Sequence, residues 1–381
     1  MSKPMSQLSR LDHRHGPVAP RPDWGPYRDT TYHGRPPLKP SSFDWKVSGY
    51  IFAGALGGSA QILATLADLR GDRRAEGLVR TGRYLAMGAA IVGPLLLIAD
   101  LKTPTRWYNM LRIFRTTSPM SIGSYILTAF GGFSALAALG QFVADQGGRR
   151  RALALRFARL AGAPAAVAGA GMSVYTASLL AATSTPLWSA APRLLALRFG
   201  SSAMAAAAAA LSLAEDAMGR RDMAARLDRI ALAAGAIHAV AAKVCDRAFE
   251  EHGVGGVLEE RPWREMHRTA ELATALPPLV HALNAVAGRR MPAVIANLAA
   301  LMGSALERHL ILDAGNHSAG RPEDYFRFTQ PPRQDTPGRP AGDDRGWVPG
   351  PTGGERPIRA AAITTAEMRR DTVSIGPERP S

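Results

Sequence analysis

A single cysteine, Cys245, stands in this chain of 381 residues. One thiol cannot close an internal disulfide, and it cannot alone hold an iron–sulfur cluster, which needs several thiolates. The N-terminus also lacks what a secretory leader requires. Residues 1–44 carry Pro, Arg and His throughout, with no apolar h-region and no twin-arginine pair. An apolar helix further on must serve as the targeting signal. Charge is missing from one long stretch. None falls between Thr116 and Ala144, and that run exceeds the ~20 residues a helix needs to cross a bilayer.

The mean hydropathy, near zero, suggests a soluble protein. It averages two polar, Pro- and Gly-rich ends with a middle rich in Ala, Leu and Gly. The pattern predicts an all-α integral membrane domain with about eight transmembrane helices and two extended tails. A formal charge of +15 can point to nucleic acid. Here the basic residues sit in short clusters between apolar runs, as in loops that flank membrane helices and meet anionic headgroups. Membrane lipid, and no nucleic acid, is the expected partner of that charge.

Residues 1–44 read as an extended tail, since Pro17, Pro20, Pro22, Pro26, Pro36, Pro37 and Pro40 exclude a long helix. The spans are expected at about 46–69, 83–101, 120–144, 161–187, 192–214, 227–244, 269–288 and 292–312. The first carries Gly54 and Gly58, a GxxxG pair that allows close helix approach. Trp188 suits an interfacial belt, and Arg193 and Arg198 suit outward snorkelling. The sixth span, which contains His238 and Lys243, is the weakest, because a Lys or Arg at the centre of a span costs about 2.5–3.5 kcal/mol on insertion scales. Pro277 and Pro278 are expected to break the seventh. A four-helix unit over 45–192, a second over 193–315 and a disordered or docking tail over 316–381 follow. Lys and Arg concentrate in the loops after the odd-numbered spans, which the positive-inside rule places in the cytoplasm of a bacterial inner membrane. Both tails and the connector after the second span then lie outside.

That connector is the most distinctive stretch. The second span ends on Asp100, followed by Lys102, Pro104, Arg106, Arg112 and Arg115. Ser118-Pro119-Met120 then opens the third span. Polar groups at the rim of a bilayer are costly unless they have a partner or a task. These residues resemble the NrfD/polysulfide-reductase family of membrane subunits. The family's DLGRP.RF-like motif is matched by Asp100-Leu101-Lys102-Thr103-Pro104-Thr105-Arg106-Trp107, and its SPMSxG by Ser118-Pro119-Met120-Ser121-Ile122-Gly123. Its YTG.LLS-like segment is matched by Tyr175-Thr176-Ala177-Ser178-Leu179-Leu180. Lys102-Thr103 and Ala177 depart from the pattern.

The resemblance covers about residues 45–315. It implies two four-helix bundles, the first binding a quinone (menaquinone or ubiquinone) near the face that docks an iron–sulfur subunit. That subunit usually connects to a molybdopterin-type catalytic subunit. This chain would anchor the complex and exchange electrons with the quinone pool, without haem, iron–sulfur cluster or metal of its own. Quinone redox chemistry moves protons as well as electrons, so a titratable group must lie beside the ring oxygens. Asp100, Arg106, Ser118 and Tyr175 are the candidates. Each has a plainer reading: Asp100 paired with Arg106, Tyr175 as packing, and Ser118 as a helix cap. In the second half His238, Glu271 and His281 could form a proton path, and Lys243 could simply pair with Asp246 or Glu271. The competing reading is a structural or proton-conducting subunit without a working quinone site. A secondary transporter lacks the expected inverted repeat.

Overall fold

The structure, a computed structural model, describes residues 36–329. Every regular element among them is helical. The long helices are α1 (Trp45–Arg70), α2 (Glu76–Asp100), α3 (Pro119–Asp145) and α4 (Arg151–Ala181), followed by the short α5 (Pro186–Ser189). They continue as α6 (Pro192–Ala217), α7 (Arg221–Glu251), α8 (Trp263–Ala287) and α9 (Arg290–Gly320), with a short terminal α10 (Pro322–Thr329). The eight long helices fall where the eight spans were expected. Six of them, α1, α2, α3, α4, α6 and α9, are long and apolar enough to cross a membrane.

Local chemistry sets the ends. Asp44 caps α1, its carboxylate accepting from the Lys46 backbone N–H at 2.7 Å. Gly71 stops it in the left-handed region at φ 69°. Ser118 caps α3, with Pro119 in its first turn, where a missing N–H costs nothing.

α1 packs on α2 and α4, α3 on α4, and α2 on α3. In the second half α6 packs on α7 and α9, α8 on α9, and α7 on α8. Contacts of α1 and α4 with α6, and of α1 with α9, join the two groups. Small residues permit the tightest approach. A methyl on Gly58 would come within 2.4 Å of the Gly169 carbonyl oxygen, so α1 and α4 touch backbone to backbone. Gly54, the other member of the pair, makes room for Met172.

α7 and α8 are too charged to count as spans by composition, yet their outward faces are apolar. Ile230, Ile237, Val240 and Val244 line one, and Leu272, Leu276, Leu279 and Leu283 the other. Their histidines His238 and His281 face inward and are buried. That is the reverse of a soluble amphipathic helix.

Several expectations need correcting. Arg198 does not snorkel outward; it is 3% exposed, because Glu307 of α9 offers it an anion inside the bundle. Trp188 is not interfacial. Its ring fills a slot that a side chain at Gly315 would occupy, and its indole N–H donates to the Ile311 carbonyl at 2.7 Å. Pro277 and Pro278 do not break the seventh helix, since α8 runs through both. The expected C-terminal tail from 316 is helical to Thr329, because α9 continues to Gly320 and α10 follows. Residues 330–381 lie outside the described residues, as do 1–35, and with them most of both expected tails. The part of the N-terminal arm that is described, 36–44, lies on α9: the Leu38 N–H donates to the Ala319 carbonyl, and the Ser41 hydroxyl to Asn316 at 2.5 Å.

α10 folds back with Asp324 buried at 1% exposure. Neither carboxylate oxygen has a hydrogen-bond partner among the described residues. Arg321 lies 3.4 Å away but is shared with Glu260 and Glu323. Burial therefore outweighs the cation and pushes the Asp324 carboxyl up to about 8. The native state holds this proton more tightly than the unfolded chain, so its contribution to stability is lost as pH rises from the ordinary 3.8 through about 8. Asp324→Asn removes that penalty. Thermal unfolding should show a melting-temperature gain that grows across this window and levels off above it; a gain independent of pH contradicts the assignment.

Candidate functional site

Asp100 is the last residue of α2, and the antiparallel return of the chain brings it to the start of α1. Its cation is Lys46, with Nζ 3.8 Å from Oδ1, and not Arg106. Lys46 also grips Asp44, so one ammonium stands between two carboxylates. That hydrogen bond holds the Asp44 carboxyl below the usual carboxylate range. The Asp100 side chain is 13% exposed and so only partly open to the rim.

One turn along α1 from Lys46 lies Tyr50, buried at 4% exposure against Gly93 of α2. No hydrogen bond among the described residues uses its hydroxyl. Its phenol lies near enough to Tyr175 on α4 for the two to interact.

Tyr175 is inserted into α3. A methyl on Gly123 would come within 2.0 Å of the Tyr175 hydroxyl oxygen, so the glycine of the SPMSxG segment is the slot for the tyrosine of the fourth helix. Tyr175 Oη donates to the Pro119 carbonyl at 2.6 Å. Two stretches read separately in the sequence are thus one contact. Ser118 takes its plainer role, its hydroxyl accepting from the Ser121 backbone N–H at 3.3 Å. The Ser121 hydroxyl accepts from the Arg115 N–H and donates to the Ile113 carbonyl, holding the connector against α3. Arg106 is exposed in a short 3-10 helix, Pro104–Leu111, together with Trp107 and Tyr108.

The structure therefore groups Asp100 with Lys46 and Asp44, sets Tyr50 one turn further along α1 within electrostatic reach of Tyr175, and leaves Arg106 outside. Lys46, Asp44 and Tyr50 were not singled out in the sequence. The signal available was Asp44 and Lys46 flanking the start of a span that must run antiparallel to the one ending at Asp100.

The second half holds two buried polar clusters. In one, Arg198 bridges Glu307 at 2.5 Å and Asp246 at 2.7 Å, Asp246 meets His267 at 3.2 Å, and His238 Nε2 lies 3.5 Å from Glu307. Arg308 is buried beside them, donating to Ser304, Ser202 and the Phe199 carbonyl. In the other, His281 meets Asn297 at 3.1 Å, whose amide donates to Asp228 at 2.9 Å, and Asp228 pairs with Arg290 at 2.7 Å. A cavity of about 400 Å³ opens beside Asp228, Arg290 and His281. His281 also lines a small void of about 10 Å³, whose other polar lining residues are His238, Ser202 and Thr274. Neither cavity touches Asp100, Arg106, Ser118 or Tyr175. Glu271 is not part of this chain of groups. It pairs with Lys243 at 2.5 Å on the outward side, which is the plainer fate expected of that lysine. Glu307 and Arg308 were missed, although a Glu-Arg pair inside an apolar run was a visible signal.

Long apolar helices, tight glycine contacts and charged groups turned inward define a multi-pass helical membrane subunit. The sequence profile of the polysulphide reductase NrfD family matches residues 37–318, most of the chain, and the protein belongs to that family of membrane subunits of oxidoreductase complexes. No curated protein matches it significantly.

The Gly123–Tyr175 contact is separable from any ligand. Tyr175→Phe should cost about 1 kcal/mol through the lost hydrogen bond, and Gly123→Ala about 1–3 kcal/mol through overpacking. Because the alanine already displaces the ring, the double variant should be less destabilised than the sum. Strict additivity in thermal unfolding refutes the slot.

Proposed function

We propose that the rim formed by Asp100, Lys46, Tyr50 and Tyr175 receives the headgroup of a membrane quinone. The chain would then exchange electrons between the quinone pool, menaquinone or ubiquinone, and an iron–sulfur partner. A molybdopterin-type subunit performs the terminal chemistry. One observation carries this reading: a buried phenol, Tyr50, has no hydrogen-bond partner among the described residues and stands one turn from a carboxylate–ammonium pair. A phenol hydroxyl without a partner is free to donate, and a ring carbonyl would accept from it. Bound quinone supplies two-electron, two-proton redox chemistry. Asp100 takes or gives the proton at the rim, Lys46 holds its carboxylate in place, and Tyr50 orients the ring. Tyr175 sets the spacing of α3 and α4. The exposed connector with Arg106 and Trp107 faces the partner, on the outer side of the bacterial inner membrane, with both tails. α7 and α8 complete an eight-span bundle, their leucine and valine faces turned to lipid.

Titration of the purified complex with a quinol analogue tests the site. Asp100→Asn and Tyr50→Phe should each weaken binding about tenfold, the effect of losing one good hydrogen bond. Undiminished binding and turnover in both variants would falsify the assignment.

A second reading rests on the void shared by His281 and His238. From the larger cavity, titratable groups continue through His281, His238 and Glu307 to Asp246 and His267, the length of the second helix group, with Arg198 the fixed cation between the two carboxylates. In this reading they carry protons across the membrane. In proteoliposomes, His281→Phe should lower the number of protons translocated per quinol oxidised. An unchanged ratio removes the path.

A further inference from the structure

We propose that the cavity at the end of α1–α4 remote from Asp100 holds the phosphate headgroup of an anionic phospholipid. The cavity measures about 350 Å³ and lies among the end of α1, the start of α2, the end of α3 and the starts of α4 and α7. Six arginines line it: Arg73, Arg80, Arg83, Arg151, Arg159 and Arg220. Its carboxylates are Asp68, Asp72, Glu76 and Asp145.

Most of these charges are already committed. Arg83 is 2% exposed and bridges Asp68 at 2.6 Å and Gln141 at 2.7 Å. Arg159 takes the other Asp68 oxygen at 2.8 Å, and Arg80 takes Asp145 at 2.8 Å. Arg220 is bound by the buried Glu215, and Asp72 is met by Arg226 at 3.3 Å. Two cations remain. Arg73 makes no ion pair among the described residues, and Arg151 lies 3.7 Å from Glu76 with both side chains more than half exposed. The committed pairs form a fixed wall, while Arg73 and the loosely paired Arg151 are exposed and give a positive surplus.

The position selects the ligand. The cavity sits where helices end, at the depth of headgroups rather than of the hydrocarbon. Ala67, Val79, Ala144 and Leu155 supply the apolar part of its lining. A phosphate carrying acyl chains meets both the arginines and these apolar side chains, whereas a free phosphate uses the arginines alone. Guanidinium forks match phosphate oxygens bidentately, and basic pockets between membrane helices select anionic headgroups.

The full chain, purified in its complex and delipidated, is titrated with cardiolipin, phosphatidylglycerol, phosphatidylcholine and inorganic phosphate. Lipid retention is read by native mass spectrometry. Cardiolipin and phosphatidylglycerol should be retained and phosphatidylcholine lost. The Arg73→Gln/Arg151→Gln variant should bind the anionic lipids about thirtyfold more weakly, at about 1 kcal/mol per arginine near the surface. Arg261→Gln, remote from the cavity, should bind as the parent does. Equal retention of phosphatidylcholine, unchanged binding by the double variant, or displacement of the lipid by inorganic phosphate at equal concentration overturns the proposal. The double variant changes exposed side chains only. Should it nonetheless lose its fold by circular dichroism, Arg73→Gln alone decides, with about a sixfold loss expected and no loss overturning.

Discussion

A charge turned toward hydrocarbon has no solvent to screen it, and the second helix group is organised around that constraint. Arg198, Glu307 and Asp246 face one another, with Arg308 buried beside them, because each would be costly elsewhere in the bundle. Removing one partner would strand the others in a medium that cannot solvate them. The direction in which α6, α7 and α9 present their faces follows from this pairing. So does the outward position of the valines and leucines on α7 and α8, which take the surface the charges vacate.

The first helix group solves a different problem, that of bringing backbones together without a hydrophobic drive between helices. Glycine does it at two places. Gly58 lets α1 meet α4 at Gly169, and Gly123 opens α3 to an aromatic ring. The rim residues depend on these contacts. Lys46 and Tyr50 reach Asp100 and Tyr175 only because α1, α2 and α4 lie this close.

What could be read from the residues depended on the range of the interaction that decides each position. The helix start at Ser118 rests on a bond to a neighbour three residues away, and it was legible. Asp100 stood out because a carboxylate ends an apolar run. Its partner Lys46 did not, since that pair is made by chain reversal over the whole of α1 and α2. Arg198 could equally have snorkelled; the choice was made by Glu307, far along the chain. Trp188 looked interfacial by type, yet Gly315 offers it a fitted slot that no local pattern shows. The helix through Pro277 and Pro278 was likewise decided by packing, with Pro278 seated against Gly235.

The connector is fastened asymmetrically. Tyr125 holds the Leu111 carbonyl at 3.0 Å, Ser121 holds Ile113 and Arg115, and Phe114 stacks edge-on against Tyr125, so all four ties run to α3. A docked protein pulling on this flap would lever the first turn of α3, and through the Pro119 carbonyl it would tug on Tyr175. The side-chain bonds of the loop therefore make it a handle on α3, while its 3-10 turn packs against both α2 and α3.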